Sequence, residues 1–186
     1  MYSNVMNPLL NKTAVCIAAI VFVLATILMQ IQGKPLRTTN APLGIVSLEI
    51  STRPALADSI KYNWQQITDS GKALNKIALN NILLDFFYIA TYGIFLILLS
   101  LRLHYKQGKQ KALPLAAKLA FIAGGLDVIE NLLMLYTLQQ QSLKWITQIT
   151  AWAAYTKFIC LLIAVIIITI SASIALLSKR KISAVT

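Results

Sequence analysis

The chain of 186 residues is 58% hydrophobic and 12% charged, with a mean hydropathy of +0.69, against about 45–50% apolar and 25% charged residues in soluble domains. That composition excludes an ordinary soluble enzyme. Seventeen Lys and Arg against six Asp and Glu give a net charge of +11; in a soluble chain this would point to nucleic acid, but here it is a topology signal, and no nucleic-acid partner is expected.

A bilayer core about 30 Å thick needs roughly 20 apolar residues as helix. The apolar blocks predict four spans, at about 13–31, 79–103, 113–138 and 146–177, with a loop at 32–78, in one integral membrane domain covering 1–186. The expected fold is therefore all-α: a polytopic four-helix transmembrane bundle. The first block is longer than a typical signal-peptide core, and Gln30-Ile31-Gln32-Gly33-Lys34 offers no Ala-x-Ala cleavage site, so it is expected to stay as a helix.

In the loop that follows, Val46-Ser47-Leu48-Glu49-Ile50-Ser51 alternates apolar and polar, which predicts a short extended segment lying on an apolar surface. Pro54 suits a helix first turn, and Leu56, Ile60, Trp64 and Ile67 recur at helical spacing, predicting an amphipathic helix with one apolar stripe, either lying at the membrane interface with Trp64 at headgroup level or forming a lid over a site that opens outward. Asp69 or Ser70 is expected to cap a new helix running through Lys72 into the second span. With two amphipathic elements in need of an apolar surface, the segment 43–67 is expected to dock on the near end of the bundle, with Glu49 at the mouth of a pocket.

Arg102–Lys111 carries four Lys and Arg, and Lys179, Arg180 and Lys181 follow the last span, whereas the turn Gln139–Trp145 carries only Lys144. The positive-inside rule then places both termini in the cytoplasm and the 32–78 loop outside, as a structured extracytoplasmic loop.

Charges at membrane depth cost a few kcal/mol each, which makes Asp85, Asp127, Glu130 and Lys157 the informative residues. Lys118, near a span end, can snorkel and is set aside. At about 1.5 Å per residue, Asp85 lies roughly 9 Å deep, Glu130 roughly 12 Å, Lys157 roughly 15 Å and Asp127 roughly 16–17 Å, one layer in the outer leaflet. The helical period puts Asn81, Asp85, Tyr88 and Tyr92 on one face of the second span. It puts Asp127, Glu130 and Asn131 on the arc of small residues Ala116, Ala120 and Gly124, where helices approach closely. Lys157 shares its arc with Ala153, Cys160 and Ala164, while Tyr155 points away.

The candidate ligand-binding residues are Asp85, Tyr88, Tyr92, Asp127, Glu130, Asn131 and Lys157. One cation cannot neutralise three carboxyls, so the pocket suits a small cation, a proton, a polar lipid headgroup or a hard ion such as Mg²⁺ or Ca²⁺ with oxygen ligands. No resident cofactor is expected, and the partner is the lipid bilayer. Two alternatives stand beside binding: acid/base chemistry on a lipid by a small membrane enzyme, and a non-catalytic assembly partner whose acids are structural. Cys16 and Cys160 form no CxxC pair and His104 is the single histidine, which argues against thiol-redox, haem or His-rich zinc chemistry.

Three stretches carry a resemblance: Thr39–Glu49, Leu84-Asp85-Phe86-Phe87-Tyr88, and Gly125-Leu126-Asp127-Val128-Ile129-Glu130-Asn131. In these the chain resembles a group of uncharacterised bacterial four-span membrane proteins with no assigned activity. The resemblance covers nearly the whole chain and implies the four-span architecture and a bacterial inner membrane, without implying a mechanism. The four-span sterol-isomerase-like fold also uses intramembrane acids, but its residues do not match these one by one.

Overall fold

The computed structural model describes residues 10–107 and 111–183, with side chains up to residue 175. Lys109 of the basic loop therefore lies outside the described residues, as do the side chains of Lys179, Arg180 and Lys181. Four helices are long and apolar enough to cross a membrane, and they account for most of the chain: α1 (Lys12–Gly33), α4 (Leu74–Lys106), α5 (Ala112–Gln139) and α6 (Lys144–Ser183). Between α1 and α4 lie a 3-10 turn at Lys34–Leu36, α2 (Ile45–Glu49), α3 (Pro54–Gln66) and a hairpin of β1 (Thr68–Asp69) and β2 (Lys72–Ala73).

Small side chains set the packing. Ala116, Ala120 and Ala123 on α5 and Ala151, Ala154 and Ala164 on α6 are fully buried, so α5 lies closely along both α6 and α4. Large apolar residues such as Phe121, Trp152 and Ile31 point outward, as the surface of a helix in lipid requires. Asn11 caps α1 by accepting from the Ala14 N–H at 2.7 Å.

α1 lies against α4 and has no substantial contact with α6. At one end, Gln32 Nε2 donates to the Ile77 carbonyl at 3.0 Å and Asn81 Nδ2 donates to Gln32 Oε1. At the other, Arg102 Nη1 donates to the Leu10 carbonyl at 2.6 Å. In between, the Phe22 ring stacks on Tyr88 and Phe95, with centroids 5.8 and 5.4 Å away.

The segment joining α1 to α4 folds back over one end of the bundle. Trp64, Ile60 and Ala57 of α3 enter a cluster with Leu36, Leu48, Leu74, Ala78, Ile82 and Met134. Trp64 Nε1–H donates to the Leu36 carbonyl at 3.1 Å, so the buried indole is satisfied at its polar edge. Polar contacts fasten α3 to the α5–α6 turn: Lys61 Nζ donates to the Gln140 carbonyl at 2.6 Å, and the Ser142 N–H to Asp58 Oδ1 at 3.3 Å.

Three local expectations change. Residues 46–51 are not extended: Ile45–Glu49 is one helical turn and a little more, entered through Gly44 at φ +65°. Ser47, Leu48 and Glu49 are all buried, because the turn is wedged between the apolar cluster on one side and the polar layer on the other. An alternating sequence can therefore serve a helix there. Asp69 and Ser70 cap no helix; Ser70 and Gly71 have φ of 51° and 76°, the two positive values of a type I′ hairpin turn, and α4 begins only at Leu74. The stripe on α3 is also rotated: Leu56 and Ile67 are exposed, and the buried face is Ala57, Ile60, Lys61 and Trp64.

Candidate functional site

Each functional side chain is placed by the helical period of its own element. On α4 the spacing of Asn81, Asp85, Tyr88 and Tyr92 presents all four to one cavity, and Asp127 and Lys157 join them from α5 and α6. Glu130 and Asn131 are fully buried behind this lining, and Tyr155 is exposed on the far side of α6.

Lys157 is the hub. Its ammonium donates to Asp127 Oδ1 at 2.5 Å and to Glu130 Oε1 at 2.9 Å, and lies 3.6 Å from Glu49 Oε2. Asp127 Oδ2 accepts from the Tyr92 hydroxyl at 2.9 Å, so both oxygens of that carboxylate are engaged. Asn131 Nδ2 donates to Asp85 Oδ2 at 2.7 Å and orients the fourth acid. Three carboxyls, two from α5 and one from the α1–α4 segment, thus contact one ammonium, and the fourth, Asp85 of α4, lines the same cavity.

Glu49 is the residue that sequence reasoning placed wrongly, at the pocket mouth instead of in the charged layer. It is buried beside Lys157, its Oε2 lying 3.6 Å from the ammonium. Glu49 Oε2 and Glu130 Oε2 have no hydrogen-bond donor among the described residues. The available signal was its isolation: Glu49 is the one charged residue between Thr38 and Thr52.

Burial raises the Glu49 carboxyl above its ordinary 4.5, with the Lys157 ammonium opposing and the Asp127 carboxylate reinforcing that rise. The docked segment then binds this proton more tightly than the undocked one. Docking is accordingly strongest at low pH and weakens as pH rises from about 4.5 upward. Asp85, Asp127, Glu130 and Lys157 face the same layer, so Glu49→Gln isolates the contribution. Amide exchange over 45–49, corrected for its intrinsic pH dependence, is expected to be faster at pH 8 than at pH 4.5 in the wild type. The difference should shrink in Glu49→Gln, and an equal difference in both would assign it to the other acids.

The cavity holds about 690 Å³, within the range of about 300–1,000 Å³ typical of small-molecule sites. One end is the polar layer of Glu49, Asp85, Tyr88, Tyr92, Asp127 and Lys157. The other end runs between α1, α4 and α6 and is lined by Phe22, Phe95, Leu99, Leu161, Val165 and Ile168. From Lys157 to Ile168 this apolar limb follows about 16 Å of α6.

Among the described residues no group of three or more His, Cys, Asp or Glu side chains is arranged to hold a metal ion. The point where the oxygens converge is filled by the Lys157 ammonium. No family model, curated protein or solved structure matches the chain, and the site is read from its own chemistry.

Proposed function

We propose that this protein binds the polar headgroup of a lipid in an acidic intramembrane pocket. The observation that carries the reading is the continuity of the cavity: a charged layer and an apolar limb occupy one space, the shape of an amphiphile. The Lys157 ammonium at the convergence of the oxygens favours a headgroup over a bare Mg²⁺ or Ca²⁺, which would have to displace it. Acid/base chemistry on the bound lipid is the second reading, favoured by the Tyr92 hydroxyl donating to Asp127, whose carboxylate shares the Lys157 ammonium with Glu49 and Glu130. A role for every acid as structural glue is disfavoured by Glu49, which lines the cavity with an Oε2 that lacks a hydrogen-bond donor among the described residues.

The test is to purify the full chain in a mild detergent and analyse the retained lipid by native mass spectrometry. Stoichiometric retention of one lipid class is expected, with loss on filling the limb by Leu161→Trp. Random lipid, retained equally by the variant, would overturn the reading. Conversion of a lipid in extracts of overproducing cells would move the conclusion to the enzymatic reading.

The same proposal sets the protein in a bacterial inner membrane as a multi-pass protein with both termini cytoplasmic. The 32–78 segment, with amphipathic α3, is then an extracytoplasmic cover and the charged layer lies in the outer leaflet. The four-to-one contrast in Lys and Arg between Arg102–Lys111 and Gln139–Trp145 supports this. Cysteines introduced at Gln110, outside the described residues, and at Gln140 are expected to label from opposite sides; reaction of both with an impermeant reagent in intact cells refutes the orientation.

A further inference from the structure

The carboxyls of the charged layer are not equivalent. Asp127 accepts from Lys157 and Tyr92 with both oxygens, and Glu130 stands behind the cavity wall holding Lys157. These two are engaged in holding the bundle. Asp85 and Glu49 differ: both line the cavity, and they come from different elements, α4 and the covering segment. Among the described residues only Asn131 donates to Asp85. Glu49 is 7% exposed, and its Oε2 faces the ammonium at 3.6 Å without a hydrogen-bond donor.

Acceptor capacity without donors at the polar end of an apolar limb defines what the ligand must bring. Counting the exposed Arg37 at the rim, the lining holds Glu49, Asp85 and Asp127 against Arg37 and Lys157, with Glu130 behind, so a carboxyl excess remains. Resting on the lipid-binding reading, we infer that the ligand is an amphiphile with a primary ammonium head, held between Asp85 and Glu49 with its chain along the α1–α4–α6 limb. An ammonium offers three donors in a compact group, which suits two carboxyls that line one cavity. A trimethylammonium head has no N–H donor and leaves those oxygens without hydrogen bonds. Because Glu49 belongs to the covering segment and Asp85 to a span, the bound head also ties the cover down.

The probes are dodecylamine, dodecyltrimethylammonium and dodecanol, added to the full chain in phosphatidylcholine nanodiscs. Binding is read from thermal stabilisation and from amide exchange over 45–49. Dodecylamine is expected to stabilise the wild type and slow exchange over 45–49, with the other two at least tenfold weaker. Loss of one charge-assisted hydrogen bond, about 1.5–3 kcal/mol, corresponds to roughly tenfold or more in affinity. Asp85→Asn should weaken dodecylamine by that factor and leave dodecanol unchanged, while Tyr155→Phe, on the outer face, changes neither. Glu49→Gln should behave like Asp85→Asn; if it fails to fold, Asp85→Asn alone decides.

Equal binding of amine and alcohol, or an amine response indifferent to Asp85→Asn, overturns this inference while the lipid-binding reading stands. Absence of any response to the three probes also overturns it. The retained-lipid measurement then decides separately whether the lipid-binding reading falls as well.

Discussion

Replacing Lys157 by alanine is expected to cost about 3–5 kcal/mol, the range seen when one partner of a buried ion pair is removed and the other is left uncompensated. Three carboxyls lie within 3.6 Å of that ammonium, and no other cation approaches them closely among the described residues. Asp127→Asn is expected to be milder, about 1–3 kcal/mol, because the amide oxygen still accepts from Lys157 or Tyr92 and one source of carboxylate repulsion is gone. The comparison is made by denaturant unfolding of both variants in the same micelle. If Asp127→Asn proves the more damaging, Asp127 is the keystone and the site does not carry excess negative charge.

Trp64→Ala is expected to release the covering segment. The indole is fully buried among Leu36, Ile60, Leu74 and Met134, and truncating a buried tryptophan costs about 3–5 kcal/mol. The Nε1–H bond to the Leu36 carbonyl, which fixes the turn after α1, goes with it. Hydrogen exchange in nanodiscs should show wild-type protection over 46–50 and 56–64 approaching that of the spans, lost in Trp64→Ala while α5 and α6 keep theirs. Rapid exchange of both stretches in the wild type would falsify docking outright. Trp64→Phe, which loses the N–H donor and part of the volume, should fall between.

The apolar blocks of the sequence lie within the four long helices because length and hydropathy act locally. The period of 3.6 likewise determines which side of its own helix a residue occupies, and so Asp85, Tyr88 and Tyr92 could be grouped before any packing was known. Glu49 could not, because its position depends on a chain reversal at Gly44 and on the depth to which α2 is pressed into the bundle. Neither leaves a periodic trace. The alternating pattern of 46–51 was misleading for the same reason: a helical turn buried on several sides has no solvent face to keep polar. At Asp69–Gly71, one set of residues is compatible with a helix cap or a hairpin turn, and the positive φ of Ser70 and Gly71 decides it.

α1 is pinned to α4 near Leu10 and near Gln32, with the cavity between it and α6. Backed by α4, with Phe22 stacked on Tyr88 and Phe95 in between, α1 leaves its other flank to the cavity instead of to α6. On the lipid-binding reading, a ligand taken up through that flank would reach the charged layer without leaving the bilayer.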